Sequence, residues 1–204
     1  MGHANGARNG EAKNQGLTLR AFIAIDLPEP LHAALADAQH EFRSICREAR
    51  WTHPQGIHLT LKFLGEISDA QTRQVVEALA SLGPLEPFAV EVKGFGFFPG
   101  ARRPRVFWAG VEAPPALAEV VALVDSRMVK IGFEREDRAF SPHLTLARFQ
   151  VPRPQPALEA AAAARTAALG KFEVSEFFLF ESKLSPGGAQ YRKVMRFPRQ
   201  VAGG

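Results

Sequence analysis

One tetrapeptide, His-Leu-Thr-Leu, occurs twice in this chain of 204 residues, at positions 58–61 and again at 143–146. The two copies start 85 residues apart (143 minus 58), which is far longer than the repeat unit of a solenoid protein. A chain of this length forms one compact domain or two small lobes that share a core. We therefore expect a fold with two similar halves, each carrying one copy.

Each copy is expected to lie on a β-strand. Side chains at positions i and i+2 of a strand share a face, so the histidine and threonine point one way and the two leucines the other. The leucines predict a buried face. If the two strands lie side by side about a pseudo-twofold axis, His58 and His143 face each other across one cleft, with Thr60 and Thr145 beside them.

Two imidazoles and two hydroxyls suit chemistry at a phosphate. A neutral imidazole can accept a proton from the attacking oxygen while a protonated imidazole supplies one to the leaving oxygen. The ordinary histidine pKa of about 6.5 makes both states accessible near neutral pH, and hydroxyls can donate to the non-bridging oxygens. A lone histidine on an apolar strand is usually structural, but strand propensity does not explain the same histidine in both copies. We predict that His58 and His143 are catalytic and that Thr60 and Thr145 bind phosphate.

The same residues argue against a metal. Two histidines and two threonines lack a third good zinc ligand, and the sequence has no His-Glu-x-x-His motif. Cys46 is the only cysteine, which excludes a Cys-rich zinc site and an intramolecular disulfide and favours a reducing, cytoplasmic location. An acidic residue beside the two histidines would change the prediction about metal.

Composition indicates an ordinary water-soluble protein, with 46% hydrophobic and 23% charged residues. No apolar run approaches the roughly 18 residues of a membrane span. The net charge of +4 and the pI near 9.6 weakly favour polyanionic partners. Residues 1–16, rich in Gly, Asn and Ala, predict a disordered tail, and 17–204 a single bilobal domain.

Periodicity and turn residues predict an α+β fold with mostly antiparallel sheets and outer helices. The predicted strands are 17–25, 57–65, 88–97, 105–111, 143–149, 172–183 and 191–197, and the predicted helices are 30–49, 69–82, 115–130 and 157–169. The strands predicted at 88–97 and 105–111 are expected to form a β-hairpin through the turn at 99–104.

The motifs and their surroundings resemble the two-histidine (2H) phosphoesterases, and among them the bacterial and archaeal RNA 2',3'-cyclic phosphodiesterases, also called 2',5'-RNA ligases or LigT-like proteins. The resemblance covers most of the chain. It is carried by residues 20–28, 50–51, 58–66, 105–108, 140–148, 180–184 and 188–191.

The resemblance implies a bilobal fold with a central cleft and hydrolysis of 2',3'-cyclic phosphate ends of RNA to 2'-phosphates, without metal or cofactor. It implies that His58 is the general acid for O3' and His143 the general base for water. It also implies that Arg148 binds phosphate, as a guanidinium readily does. Arg148 lies five residues after His143, so only a bulge or the end of the strand would turn it to the same face.

Other candidate residues remain open. Three further histidines are expected to be structural or solvated, three aromatic residues are candidates for stacking on a nucleobase or for core packing, and three arginines are candidates for RNA-backbone binding or for a solvated loop. These are His32, His40 and His53; Trp51, Phe140 and Tyr191; and Arg102, Arg103 and Arg105.

Three functions remain possible for this sequence. The first is hydrolysis of cyclic phosphate RNA ends by a monomer without an obligate protein partner, with 2',5'-ligation as the reverse reaction. The second is a phosphoesterase for small cyclic nucleotides or 2',5'-oligonucleotides. The third is a non-catalytic nucleotide-binding or RNA-binding module, which has no need for paired titratable groups.

Overall fold

The computed structural model describes residues 18–185 and 188–198, so the predicted tail at 1–16 lies outside the described residues. The described part contains nine strands, four α-helices and a short 3-10 helix at Pro54–Gly56. The strands are β1 (Thr18–Ile25), β2 (Arg50–Trp51), β3 (Leu59–Ser68), β4 (Phe88–Phe98), β5 (Val106–Glu112), β6 (His143–Arg148), β7 (Gly170–Val174), β8 (Phe177–Ser185) and β9 (Gly188–Phe197). The helices are α1 (Glu29–Ile45), α2 (Asp69–Ala80), α3 (Pro115–Lys130) and α4 (Pro156–Ala164).

The strands form two sheets, which confirms the predicted α+β class. The first sheet has the order β3-β1-β8-β9 and the second has the order β2-β6-β5-β4-β7. Every strand pair is antiparallel. The two motif-bearing strands, β3 and β6, belong to different sheets and contact each other. The predicted hairpin is also present, as β4 and β5.

Both sheets bury one face in a single apolar core. Ile23 of the first sheet and Phe107 of the second are fully buried members of this core. Helix α1 supplies Phe42, whose ring packs edge-on against Phe107 at a centroid distance of 5.1 Å. This helix forms because Leu31, Leu35, Ala38 and Phe42 recur at helical spacing and lie on one buried stripe.

Helix α2 begins at a capping box. The Ser68 hydroxyl accepts a hydrogen bond from the backbone N–H of Gln71 at 3.2 Å, and the Gln71 side chain accepts one from the Ser68 backbone N–H at 3.0 Å. These bonds satisfy two donors that the first turn leaves unpaired. Within the described ranges, none of the helices is both long and apolar enough to cross a membrane.

The structure corrects three predicted elements. The single strand predicted at 172–183 is two strands, because β7 pairs with β4 in the second sheet whereas β8 pairs with β1 in the first. The helix predicted to reach Leu169 ends at Ala164, since Leu169 instead donates its backbone N–H to Val92. The helix predicted to reach Ala49 ends at Ile45, and the chain then forms the unpredicted strand β2 against β6.

Candidate active site

The two motifs present their side chains with the same alternation. His58 directly precedes β3 and His143 begins β6, and both histidines and both threonines, Thr60 and Thr145, are partly exposed. The four motif leucines are buried members of the core: Leu59, Leu61, Leu144 and Leu146. The leucines therefore anchor each strand, and the histidine and threonine of each copy lie together on the opposite face.

The His143 ring is held by a backbone group two residues upstream. Nδ1 of His143 lies 2.8 Å from the carbonyl oxygen of Ser141, and because a carbonyl only accepts, this nitrogen carries the hydrogen. This hydrogen bond orients the His143 imidazole and, in the neutral ring, leaves Nε2 as the acceptor nitrogen. The backbone of Gly56, two residues before His58, lies close enough to the His58 ring to raise its pKa against the larger, lowering effect of burial.

His58 lies against an aromatic cluster on the first sheet. Its ring stacks on Phe22 at a centroid distance of 4.4 Å, and Tyr191 meets it edge-on at 4.9 Å. Burial lowers the pKa of His58 to about 4; the Asp26 carboxylate opposes this shift and the positive charge of Arg148 adds to it. His58 is therefore neutral at pH 7 when no ligand is bound, and Arg148 of the second sheet lies close enough to affect it.

A β-bulge sets the direction of Arg148. Thr145 pairs with Trp108 and Ala147 with Phe107, so Leu146 has no partner on β5. The extra residue shifts the alternation, and Leu146 and Ala147 are both buried whereas Arg148 is exposed. Arg148 thereby returns to the face that carries His143 and Thr145.

The first motif has the same irregularity. Thr60 pairs with Ala24 and Lys62 with Ile23, which leaves Leu61 unpaired on β1. The residue five positions after His58 is Phe63, and its side chain is 67% exposed. The two halves therefore share a backbone pattern, but an arginine in one copy corresponds to a phenylalanine in the other.

Aromatic rings also lie on the His143 face of the second sheet. Phe98 meets the His143 ring edge-on at a centroid distance of 4.9 Å. The same phenylalanine ring packs against Trp108 in a tilted arrangement at a centroid distance of 5.1 Å. The Trp108 indole lies over Gly96, where an added Cβ would come within 2.3 Å of the ring. Glycine at this position makes room for the indole beside Thr145.

Comparisons with known proteins agree with this arrangement. A family model described as LigT-like phosphoesterase matches residues 25–108 and 110–191. The chain is a LigT-like phosphoesterase. A protein named RNA 2',3'-cyclic phosphodiesterase from Methanothermobacter thermautotrophicus is 34% identical over 177 residues, which cover 86% of this chain and 96% of that protein.

Solved structures resemble this phosphoesterase over most of its length. A Thermus thermophilus crystal structure has a TM-score of 0.73 and 30% identity, and covers 88% of this chain and 97% of that chain. A crystal structure of E. coli LigT complexed with phosphate has a TM-score of 0.66 and 26% identity, and covers 88% of this chain and 96% of that chain.

The other sequence candidates lie in different surroundings in this phosphoesterase. His32 is buried and donates from Nδ1 to the carbonyl of Pro54 at 3.0 Å, whereas His40 and His53 are exposed. Trp51 packs against Phe107 of the core and Phe140 lies partly buried at the core, but Tyr191 contacts His58. The three hairpin arginines at 102, 103 and 105 are exposed.

One feature of the LigT-like phosphoesterase was not predicted from its sequence. Lys62 is only 8% exposed, and its Nζ donates to Oδ1 of Asp125 at 2.6 Å and to the carbonyl of Glu134 at 2.8 Å. Burial alone would raise the pKa of Asp125, but the hydrogen bonds from Lys62 and from the Glu136 backbone hold it below its usual range. This ion pair ties β3 to α3 and to the loop that leads into β6.

The sequence of β1 contains a pattern that could have predicted the aromatic cluster beside His58, because the strand is apolar on both faces. Ala21, Ile23 and Ile25 face the common core, whereas Phe22 and Ala24 belong to a second small cluster with Phe178 and Phe180. A strand that is apolar on both faces is buried on both faces.

No group of three or more His, Cys, Asp or Glu side chains suited to a metal ion occurs in residues 18–185 and 188–198.

Proposed function

We propose that this chain is an RNA 2',3'-cyclic phosphodiesterase that opens the cyclic phosphate at an RNA end and leaves a 2'-phosphate. The observation that carries the proposal is the pair of His-x-Thr copies at the starts of β3 and β6, two strands of different sheets that contact each other. The relatives that bear this name support the choice of substrate.

In the proposed reaction, water attacks phosphorus as the bond from phosphorus to O3' breaks. His143 accepts the proton of the attacking water, and His58 delivers a proton to O3' as it leaves. Thr60 and Thr145 donate hydrogen bonds to the non-bridging oxygens, and Arg148 pairs with the phosphate charge. These steps need no group beyond the side chains of one chain, and we propose that the protein acts as a monomer in the cytoplasm.

The low pKa of His58 sets a condition on this assignment. An imidazole with a pKa of about 4 is almost entirely neutral at pH 7, so it rarely carries the proton that a general acid must donate. A phosphate anion beside the ring favours its protonated form and raises this pKa. His58 therefore takes up its proton together with the substrate, so substrate binding consumes protons near neutral pH.

One experiment tests the activity. The purified protein is incubated in EDTA with an oligoribonucleotide that ends in a 2',3'-cyclic phosphate, and phosphorus NMR identifies the product. We expect a 2'-phosphate at an undiminished rate. A 3'-phosphate would reverse the assignment of the leaving oxygen, and activity that requires added zinc or manganese would contradict the proposed mechanism.

A second experiment tests the acid and base assignments. A nitrophenyl phosphodiester has a leaving group that needs no protonation, so it should restore turnover to His58→Ala and not to His143→Ala. Rescue of the His143 variant instead would exchange the two roles. Rescue of neither variant would mean that at least one histidine acts mainly by binding phosphate.

A further inference from the structure

Two arginines lie directly opposite each other at the edge of the second sheet. Arg50 of β2 pairs with Arg148 of β6, and the next pair along these strands is Trp51 with Ala147. Trp51 faces the core, because its ring packs edge-on against the buried Phe107. Arg50 therefore points to the opposite face, the same face as Arg148.

This arrangement is unfavourable for a sheet without a ligand. Opposite residues of an antiparallel pair have Cβ atoms about 5 Å apart, and like charges at such positions are destabilising. Arg50 and Arg148 are both exposed, and in the part of the chain that the structure describes neither forms an ion pair with an acidic side chain. An anion that lies between the two guanidinium groups would remove the repulsion and accept hydrogen bonds from both.

The pair lies next to the two motifs but is displaced from them. Arg148 is three residues beyond Thr145, a separation of up to roughly 10 Å along a strand, and Arg50 lies about 5 Å further, on the neighbouring strand. The charge of Arg148 still affects the pKa of His58. A group bound between the two arginines therefore lies beside the scissile phosphate and is distinct from it.

We propose that Arg50 and Arg148 together bind the phosphodiester that joins the terminal nucleotide of the RNA to the preceding nucleotide. The proposal rests on the proposed function and deepens it, because a second anion site predicts a preference for RNA ends over cyclic mononucleotides. Arg148 serves both phosphates, whereas Arg50 serves only the second one. The affinity for an RNA end should accordingly depend on salt more steeply than the affinity for a mononucleotide.

The test compares three substrates with Arg50→Gln and the wild type. The substrates are adenosine 2',3'-cyclic phosphate, a diadenosine with the same cyclic end, and that diadenosine with an uncharged methylphosphonate linkage. We expect the ratio of kcat/KM for the charged dinucleotide to that for the mononucleotide to fall about tenfold in Arg50→Gln, chiefly through KM. The methylphosphonate dinucleotide should show no such fall.

Arg73→Gln is the matched control, because Arg73 is an exposed arginine on α2, a helix that packs its buried residues into the common core. It should leave the substrate ratio of the wild type unchanged. An equal loss on all three substrates in Arg50→Gln would overturn the proposal, as would a wild type that does not distinguish the charged from the uncharged linkage.

A binding measurement and a stability measurement separate this proposal from the proposed function. If the wild type hydrolyses none of the substrates, the proposed function fails, but titration of diadenosine 3'-phosphate and its methylphosphonate analogue still tests the second site. Arg50→Glu should raise the urea midpoint of unfolding, because a favourable cross-strand pair replaces a repulsive one. A lower midpoint would mean that Arg50 serves the fold, and the proposal would fail.

Discussion

The low pKa of His58 predicts a specific dependence of stability on pH. In the unfolded chain this imidazole has its ordinary pKa of about 6.5, whereas in the folded protein burial lowers it to about 4. Between these two values the unfolded state binds a proton that the folded state does not. The free energy of unfolding contributed by this residue therefore rises with pH, and it is lost as the pH falls from 6.5 toward 4.

The size of this effect follows from the two pKa values. At pH 7, protonation of His58 in the unfolded chain hardly changes the free energy of unfolding. At pH 5 it lowers this free energy by about 2 kcal/mol. The full reduction of the free energy of unfolding, about 3 kcal/mol, is reached below pH 4. The aromatic surroundings explain the magnitude, because Phe22 stacks on the ring and Tyr191 covers its edge, so that a charged imidazole would lose water contacts.

His58→Gln removes this titration and tests the argument. Urea unfolding of the wild type and the variant at pH 7 and pH 5 gives four free energies. We expect the variant to gain about 2 kcal/mol relative to the wild type between pH 7 and pH 5. His40→Gln, which removes an exposed histidine of α1, is the control and should run parallel to the wild type.

Two results would refute the reasoning about His58. One is a stability difference between wild type and His58→Gln that is the same at pH 7 and pH 5. The other comes from NMR, where the Cε1 proton of His58 in the ligand-free protein should titrate near pH 4. A midpoint above pH 6 would show that the aromatic cluster does not exclude water from the ring.

Three further predictions concern other parts of the structure. Lys62→Met should lower the free energy of unfolding by roughly 3 kcal/mol because it leaves Asp125 unpaired, and Lys62→Met with Asp125→Leu should recover part of this loss in the same urea assay. Gly96→Ala should cost about 1–3 kcal/mol and shift the tryptophan emission spectrum, since the new Cβ would collide with the Trp108 ring; an unchanged spectrum and stability would contradict the placement of this ring. His143→Ala should lower kcat by roughly 100-fold or more with an unchanged circular dichroism spectrum, and retention of a tenth of the activity would exclude a two-histidine mechanism.

The sequence alone predicted the features that depend on neighbouring residues. The alternation of His-Leu-Thr-Leu predicted which side chains are buried, and Leu59 and Leu144 are indeed in the core with exposures of 1% and 0%. The α+β class, the hairpin of β4 and β5 and the family were likewise accessible from the sequence. These features follow from periodicity, turn chemistry and an unusual repeated motif, which are local properties of the chain.

The sequence did not predict where strands begin, end and pair. The two-residue strand β2 exists because β6 offers it a partner, and the segment 172–183 divides because β7 and β8 pair with strands of different sheets. The pairing of these strands depends on partner strands that are distant along the chain. Local propensity contains no information about such partners.

The direction of Arg148 and the charge state of His58 were decided only by the tertiary structure. With regular strand alternation from His143, the side chain of Arg148 would point away from the histidine and threonine of the motif. The bulge at Leu146, which forms against β5, reverses this direction. The ordinary pKa of histidine is about 6.5, and only the rings of Phe22, Phe180 and Tyr191, brought together by three different strands, place His58 in surroundings that lower it to about 4. The sequence indicated which residues we propose as catalytic and phosphate-binding. Pairing and packing between distant segments determined the direction of Arg148 and the protonation of His58, because both depend on contacts that no local pattern encodes.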